Sequence, residues 1–397
     1  MRLIPSFKRI AVKNIFFAAS LASSITLVIL IFFFFNYTKN AKSQIALLTT
    51  QKQSAENTLE VIQKELKFLK SQDQFVYNKR LQEEIDNIQK TYKKGVGSYE
   101  KLLSLKDDQK TEKFDELFTD AIVLLSKRNY ASSEATLEDL NKQIDEQKQK
   151  IASQFVIPQN VPINNAPPAS GFSRQQVKTE IGTFLVDIIS SDLNSTRVIV
   201  DTASESDCRD NCPVLSLSEY VSRNNAYAGV NGSYFCPSSY PSCAGKTNSF
   251  DTLLMNKNKV YFNSDNNKYS TIPLIYFSGN TAGIRGQSLE WGRDTGVDAV
   301  IANQGLLLSG GNIAFGGDGD PKKGSKGARS FVGNKGSMAY IGVVHNATVA
   351  EAAHALKALG LENALNLDDG GSTALWYSGY KVGPGRNIPN AVLFVRK

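Results

Sequence analysis

Hydrophobic positions along this chain follow four successive rules, and each predicts a different kind of structure. The first is continuous: no charged residue occurs from Asn14 to Thr38, and Ile15 to Phe35 reads IFFAASLASSITLVILIFFFF. At about 1.5 Å per residue such a run spans a hydrocarbon layer about 30 Å thick, so residues 15–35 are expected to form a transmembrane helix. A cleaved signal peptide would carry a shorter apolar region and a small-residue cleavage site, whereas this run ends in four phenylalanines. The second rule is periodic. Apolar residues recur on a three-four rhythm through Ile45, Leu48, Ala55, Leu59, Ile62, Leu66, Leu69 and Val76, then after one phase shift through Leu81, Ile85, Ile88 and Tyr92. This is the seam of a coiled coil. Gly95-Val96-Gly97 is expected to interrupt it, and two further helical stretches follow, around Phe114–Leu125 and Leu137–Ile151, separated by a break at residues 127–130. The third rule is an absence of charge from Ile151 to Ser173, with Pro158, Pro162, Pro167 and Pro168 inside it, which predicts an extended linker over 155–173. Beyond it, short β-like runs alternate with turn residues. The predicted organisation is a cytoplasmic arm and anchor at 1–38, a helical coiled-coil stalk at 39–154, the linker, and a mixed α+β domain at 174–397.

Composition sharpens this division. Of 29 glycines only Gly95 and Gly97 precede residue 171, and no proline lies between Pro5 and Pro158, so the helix breakers are confined to the second half. The formal net charge of +7 invites a nucleic-acid reading, but its distribution removes it: +4 falls on residues 1–38, +1 on 39–155 and +2 on 156–397. Neither large region is a basic surface, so no nucleic acid is expected as a partner. Arg2, Lys8, Arg9 and Lys13 precede the apolar run and only Lys39 and Lys42 follow it closely, which places the N-terminus in the cytoplasm and the rest outside in a single-pass topology at the cell membrane. All four cysteines, Cys208, Cys212, Cys236 and Cys243, lie on the outer side, where disulfides form. Three connectivities exist, and the two local pairs are favoured. A four-thiolate zinc site would need a C-x2-C knuckle that these spacings lack.

Two helices in the last domain are marked by capping boxes, Ser216-Leu-Ser-Glu219 and Thr348-Val-Ala-Glu351, the second closing at Gly360. The strand after it delivers Asp368 into Asp369-Gly370-Gly371-Ser372, a carboxylate at the end of a rigid element beside an accessible backbone. Three more segments share this polar, glycine-rich character. They are AGVNGSYFCP around Asn231 and Tyr234, KGARSFVG around Arg329, and GPGRNIPNA with Arg386 and Asn390. Together with NALNLDDGGSTALW these four segments resemble, in order and spacing, the phosphodiester glycosidase family over roughly residues 180–397. The resemblance implies an α+β domain that hydrolyses a sugar-1-phosphodiester. Asn231, Arg329, Asp368, Gly370, Gly371 and Ser372 fall on motif positions, while Asp369 replaces the glycine that is usual there.

The chemistry supports these residue types independently. The leaving group of a glycosyl phosphodiester is a weakly basic phosphate ester, so the main needs are a carboxylate to stabilise an oxocarbenium-like centre and place water or a nucleophile. Asp368, Asp369, Arg329 and Asn231 are the candidate catalytic set. Arg386, Asn390, Tyr234 and the Gly370-Gly371-Ser372 amides and hydroxyl are candidates for binding substrate, with the arginines gripping phosphate oxygens and an aromatic ring facing the sugar. Adjacent strand positions point to opposite faces, so Asp368 and Asp369 are expected to diverge. No cofactor is required by the sequence. A divalent cation is left open at Asp318-Gly-Asp320, where an exposed polar loop is the favoured reading, and His345 and His354 form no ligand cluster. The expected function is a membrane-anchored extracytoplasmic glycosidase acting on sugar-1-phosphodiester linkages of surface polysaccharide or glycoconjugate, with a homo-oligomer through the stalk as an associated expectation. The alternative is a non-catalytic, glycan-binding envelope scaffold that oligomerises through the same stalk.

Overall fold

The computed structural model describes residues 7–106 and 111–397, with side chains from Leu21 onward except at Lys106. Arg2 of the basic arm lies outside the described residues. The chain divides into two units, Met1–Asp86 and Asn87–Lys397.

The first unit is dominated by one helix, α1 (Phe7–Ser71), which carries the apolar run and most of the periodic seam without a break. It is one helix long and apolar enough to cross a membrane. Its apolar side chains are exposed, Phe32 at 65% and Phe35 at 69%, as are the seam residues Leu59, Ile62, Leu66 and Leu69. The helix ends at Ser71 and α2 (Asp73–Lys106) begins two residues later, so the chain breaks at Gln72, ahead of the phase shift read after Val76.

The expected interruption at Gly95-Val96-Gly97 does not occur. α2 runs through both glycines. The cost of about 1 kcal/mol per helical glycine relative to alanine is overridden by packing. Gly95 is buried, and a Cβ there would meet Ile122 Cδ1 at 3.8 Å. The second half of α2 packs with α3 (Glu112–Ser126) and α4 (Tyr130–Gln154) around Leu102, Leu105, Ala121, Leu137, Leu140 and Ile144. Lys90 pairs with Glu134 at 3.0 Å and Lys101 with Asp145 at 3.0 Å, while Lys148 donates to Ser104 Oγ at 2.7 Å. Each pair is separated by 44 residues, so α2 and α4 run parallel with α3 returning between them.

The expected linker is partly built into the β-domain. Ile163 bridges Gln176, Gln176 N–H donates to Pro162 O at 2.8 Å, and the first strand, Gly171–Thr179, starts before Ser173. Prolines with no donor of their own leave the carbonyls of this segment free to receive the edge of that strand.

The remaining chain is α+β and antiparallel. A seven-stranded sheet is ordered Gly171–Thr179, Gly182–Asp192, Met338–Ala347, Gly327–Lys335, Asn363–Asn366, Leu306–Ser309 and Asn312–Ile313. A five-stranded sheet is ordered Tyr380–Val382, Leu375–Tyr377, Ala228–Asn231, Asn390–Arg396 and Thr196–Thr202. A third sheet, of short strands, spans Leu254 to Ala302 in sequence. Their inner faces share one core, including Ile189, Val332 and Ile341 from the first, Val200, Val230 and Phe394 from the second, and Leu254, Ile275 and Ile301 from the third. The outer face of the first sheet is covered by the helix Val349–Ala358, and that of the second by Leu217–Arg223; both begin with the capping boxes read from sequence. Both disulfides are the local pairs, Cys208–Cys212 and Cys236–Cys243.

Candidate active site

Three elements converge where the first and second sheets meet. The strand Asn363–Asn366 ends at Asn366, two residues before Asp368, so Asp368 and Asp369 lie in a loop and escape strand alternation. Their carboxylates nonetheless take separate partners, set by the loop and not by strand pleating. Asp369 then opens a 3-10 turn over Gly370–Ser372, with Gly370 at φ +61°. The loop is fixed to the neighbouring strands by backbone bonds, Leu367 N–H to Ser330 O at 2.9 Å and Asp368 N–H to Gly232 O at 2.8 Å.

Asp369 is held on every side. Its Oδ2 accepts from Arg329 Nη1 at 2.9 Å, Tyr234 Oη at 3.1 Å and Asn366 Nδ2 at 3.1 Å, and its Oδ1 from Ser330 N–H at 3.2 Å. Arg329 is 5% exposed. Its remaining donors go to backbone carbonyls, Nε to Ala347 at 2.9 Å and Nη2 to Lys322 at 3.0 Å and to Ser325. The expectation that Arg329 grips phosphate is therefore revised: its guanidinium is the buried counter-ion of Asp369.

Asp368 has fewer partners. Its Oδ1 accepts from the Asp369 N–H at 2.9 Å, and Ser372 hydrogen-bonds to it. Burial raises both carboxyls. For Asp368 the nearby Asp369 charge adds to it, against Ser372 and Arg386, and the group is pushed up to about 7. Burial also raises Asp369, opposed by Arg329, Asn366 and Tyr234. Burial and the two carboxylates together drive the Tyr234 phenol far upward, so it stays protonated and donates.

Arg386 lies across the turn. Its N–H donates to Gly371 O at 2.8 Å, and a Cβ on residue 371 would sit 2.2 Å from Arg386 Nη2, so the guanidinium occupies the space a side chain there would take. Asn231 and Asn390 are fully buried and act within the frame. Asn231 Nδ2 donates to Asp368 O at 2.7 Å, and its Oδ1 accepts from Ser330 Oγ at 2.8 Å and Ala374 N–H at 3.1 Å. Asn390 Oδ1 accepts from Ser233 N–H at 2.9 Å and would lie 1.8 Å from a Cβ on Gly232. The structure thus brings together Asp368, Asp369, Arg329, Tyr234, Ser372 and Arg386, with Asn231 and Asn390 bonded into the frame beside them.

Sequence reasoning missed Asn366 and Asn303. Asn303 Nδ2 donates to Asn366 O at 2.9 Å and its Oδ1 accepts from Tyr234 N–H at 3.0 Å. A polar residue inside the apolar run ANQGLLL was the available signal for Asn303. His345 is not at this site: its Nε2 meets Asp187 Oδ2 at 2.9 Å, where Arg174 also pairs. Asp318 pairs with Lys323 and Asp320 caps a short helix. Among the described residues no cluster of three or more His, Cys, Asp or Glu is arranged to hold a metal ion.

Residues 224–395 match the family model described as phosphodiester glycosidase. This segment is a phosphodiester glycosidase domain. The family is one of hydrolases acting on phosphodiester glycosyl linkages. The domain as matched includes every residue of the cluster above, while the strands Gly171–Thr179, Gly182–Asp192 and Thr196–Thr202 complete its sheets from outside the match. No curated protein matches the chain. Among solved structures, a hypothetical protein from Synechocystis aligns at TM-score 0.40 and 13% identity, over 57% of this chain and 62% of its own, so the chain spans less than two thirds of that protein. The catalytic domain of zebrafish N-acetylglucosamine-1-phosphodiester alpha-N-acetylglucosaminidase, auto-inhibited by its pro-peptide, aligns at TM-score 0.45 and 14% identity, over 60% of this chain and 87% of its own.

Proposed function

We propose that this protein is a membrane-anchored, extracytoplasmic glycosidase that hydrolyses sugar-1-phosphodiester linkages in surface polysaccharide or glycoconjugate. The observation that carries this reading is the contrast between a poised Asp368, with Arg386 across the turn, and a fully engaged Asp369, inside a domain of the matching family. Ionised Asp368 serves as the nucleophile or base at the anomeric carbon. The phosphate ester leaves without needing a proton, and Arg386 meets its charge. Asp369 holds Tyr234 and Arg329 in place and keeps a second negative charge beside the cationic transition state.

The long apolar helix fits a single-pass anchor, and the two disulfides fit an oxidising compartment outside the cytoplasm. The stalk of α1 is the second part of the proposal. Positions 45, 52, 59 and 66 with 48, 55, 62 and 69 form one heptad stripe, and Glu65 and Lys70 flank it where opposite charges pair between parallel copies. Copies anchored in one membrane run parallel, so a homo-oligomeric coiled coil follows from the same topology.

The deciding experiment assays the wild type and Asp368→Asn on sugar-1-phosphodiesters. Turnover lost in the variant supports the assignment. Full turnover in the variant would sink it, and saturable glycan binding with no turnover in either protein would favour the scaffold alternative.

A further inference from the structure

The loop closed by the Cys236–Cys243 disulfide carries a side chain that the chemistry above leaves unused. Tyr240 presents its ring to two cations from distant parts of the chain. Lys322 Nζ lies 5.4 Å from the ring centroid and the Arg386 guanidinium carbon 5.7 Å from it. Among the described residues neither cation forms an ion pair with a carboxylate, Arg386 acting on Asp368 only through space, whereas the adjacent Lys323 pairs with Asp318 and donates to Gln304 Oε1 at 3.0 Å.

Both cations are tied to the carboxylate loop. Arg329, the counter-ion of Asp369, donates through Nη2 to Lys322 O and so fixes the turn Pro321–Gly324. Arg386 is fixed by its own N–H to Gly371. The Tyr240 loop is braced from the helical side, because its Ser242 N–H donates to Glu100 Oε1 of α2 at 2.9 Å, and Cys243 N–H donates back to Tyr240 O at 2.9 Å.

We propose that Lys322, Arg386 and the Tyr240 ring form the subsite for the phosphate of the phosphodiester, and that Glu100 is a positioning residue that holds this subsite through the disulfide-closed loop. This rests on the glycosidase reading. Two adjacent carboxylates repel an anionic diester, and the substrate enters only if cations offset them nearby. When the bond between anomeric carbon and phosphate oxygen breaks, its electron pair stays with the phosphate, water supplies hydroxide to the carbon, and the remaining proton is released. The phosphate then goes from one negative charge as a diester to about −1.5 to −2 as a monoester, so the two cations hold the departing group more strongly than the substrate. The ring orients both cations without neutralising them.

The test uses the full-length protein and methyl phosphate, which carries the anion without the sugar. Calorimetry should show binding to the wild type, weakened about 10-fold in Lys322→Ala and in Tyr240→Ala, each a loss of one charge-assisted contact or of its platform. Asp368→Asn should bind at least as tightly as the wild type. Unchanged affinity in both Lys322→Ala and Tyr240→Ala would overturn the subsite, whatever happens to turnover. Conversely, methyl phosphate binding by a wild type that turns over no sugar-1-phosphodiester would remove the glycosidase reading and leave the anion site standing. For the positioning role, Glu100→Ala should raise KM for the diester about 3-fold with kcat kept, and Glu100→Gln, whose Oε1 still accepts, should restore it. An unmoved KM in Glu100→Ala overturns that role.

Discussion

Asp368 and Asp369 are neighbours in sequence and opposites in environment. On one side of the loop, Asp369 and Arg329 use nearly all their hydrogen-bonding capacity on each other and on Tyr234, Asn366, Ser330 and three backbone carbonyls. On the other, Asp368 receives two bonds, and Arg386 is tied through its backbone N–H and rests its guanidinium against the Tyr240 ring. A buried charge with complete partners is a structural element, since breaking it costs several kcal/mol. A buried carboxylate with few partners and a displaced pKa is held ready for something else.

The largest effect expected from breaking this contrast is on activity. Asp368→Asn should lower kcat on a sugar-1-phosphodiester by about 10³-fold or more, the scale of losing a residue that acts in the chemical step. The wild-type pH profile tests the same group: with Asp368 needed as the anion and its carboxyl pushed up to about 7, kcat/KM should climb through about pH 7 and then level off. Stability should move the other way. The folded state holds a proton that the unfolded chain has released, so melting temperature should fall as pH rises from about 4 to about 7, and Asp368→Asn should flatten that decline.

A smaller effect separates the arginines. Arg329→Met leaves Asp369 buried without its counter-ion and should cost about 3–5 kcal/mol in chemical denaturation, while Arg386→Met should cost less than about 1 kcal/mol. Equal costs would erase the distinction between the two sides. Tyr234→Phe, which removes one donor from Asp369, should fall between these two costs, at about 2 kcal/mol by the same measurement.

Much of this site was legible in the sequence because its parts are local. The Asp368–Ser372 loop, the capping boxes and both disulfides are each set within a few residues. What was not legible depends on where strands end and on who reaches whom. Strand alternation does not set the directions of Asp368 and Asp369, because the strand stops at Asn366 and a loop gives each its own partners. Arg329 looked like a free phosphate ligand because nothing in KGARSFVG shows that Ala347, Lys322 and Ser325 present their carbonyls to it. In the helical part, two glycines read as a break were accommodated because α3 and α4 press against that stretch of α2, a contact between residues that sequence periodicity treats separately.

The tight fit at Gly371 has a consequence of its own. A methyl group there would meet Arg386 Nη2 at 2.2 Å, and a flexible side chain yields before a backbone does. Gly371→Ala is therefore a steric dial on Arg386: it displaces the cation while leaving the protein's net charge untouched. Comparing it with Arg386→Met separates what the positive charge contributes by being present from what it contributes by being in one place.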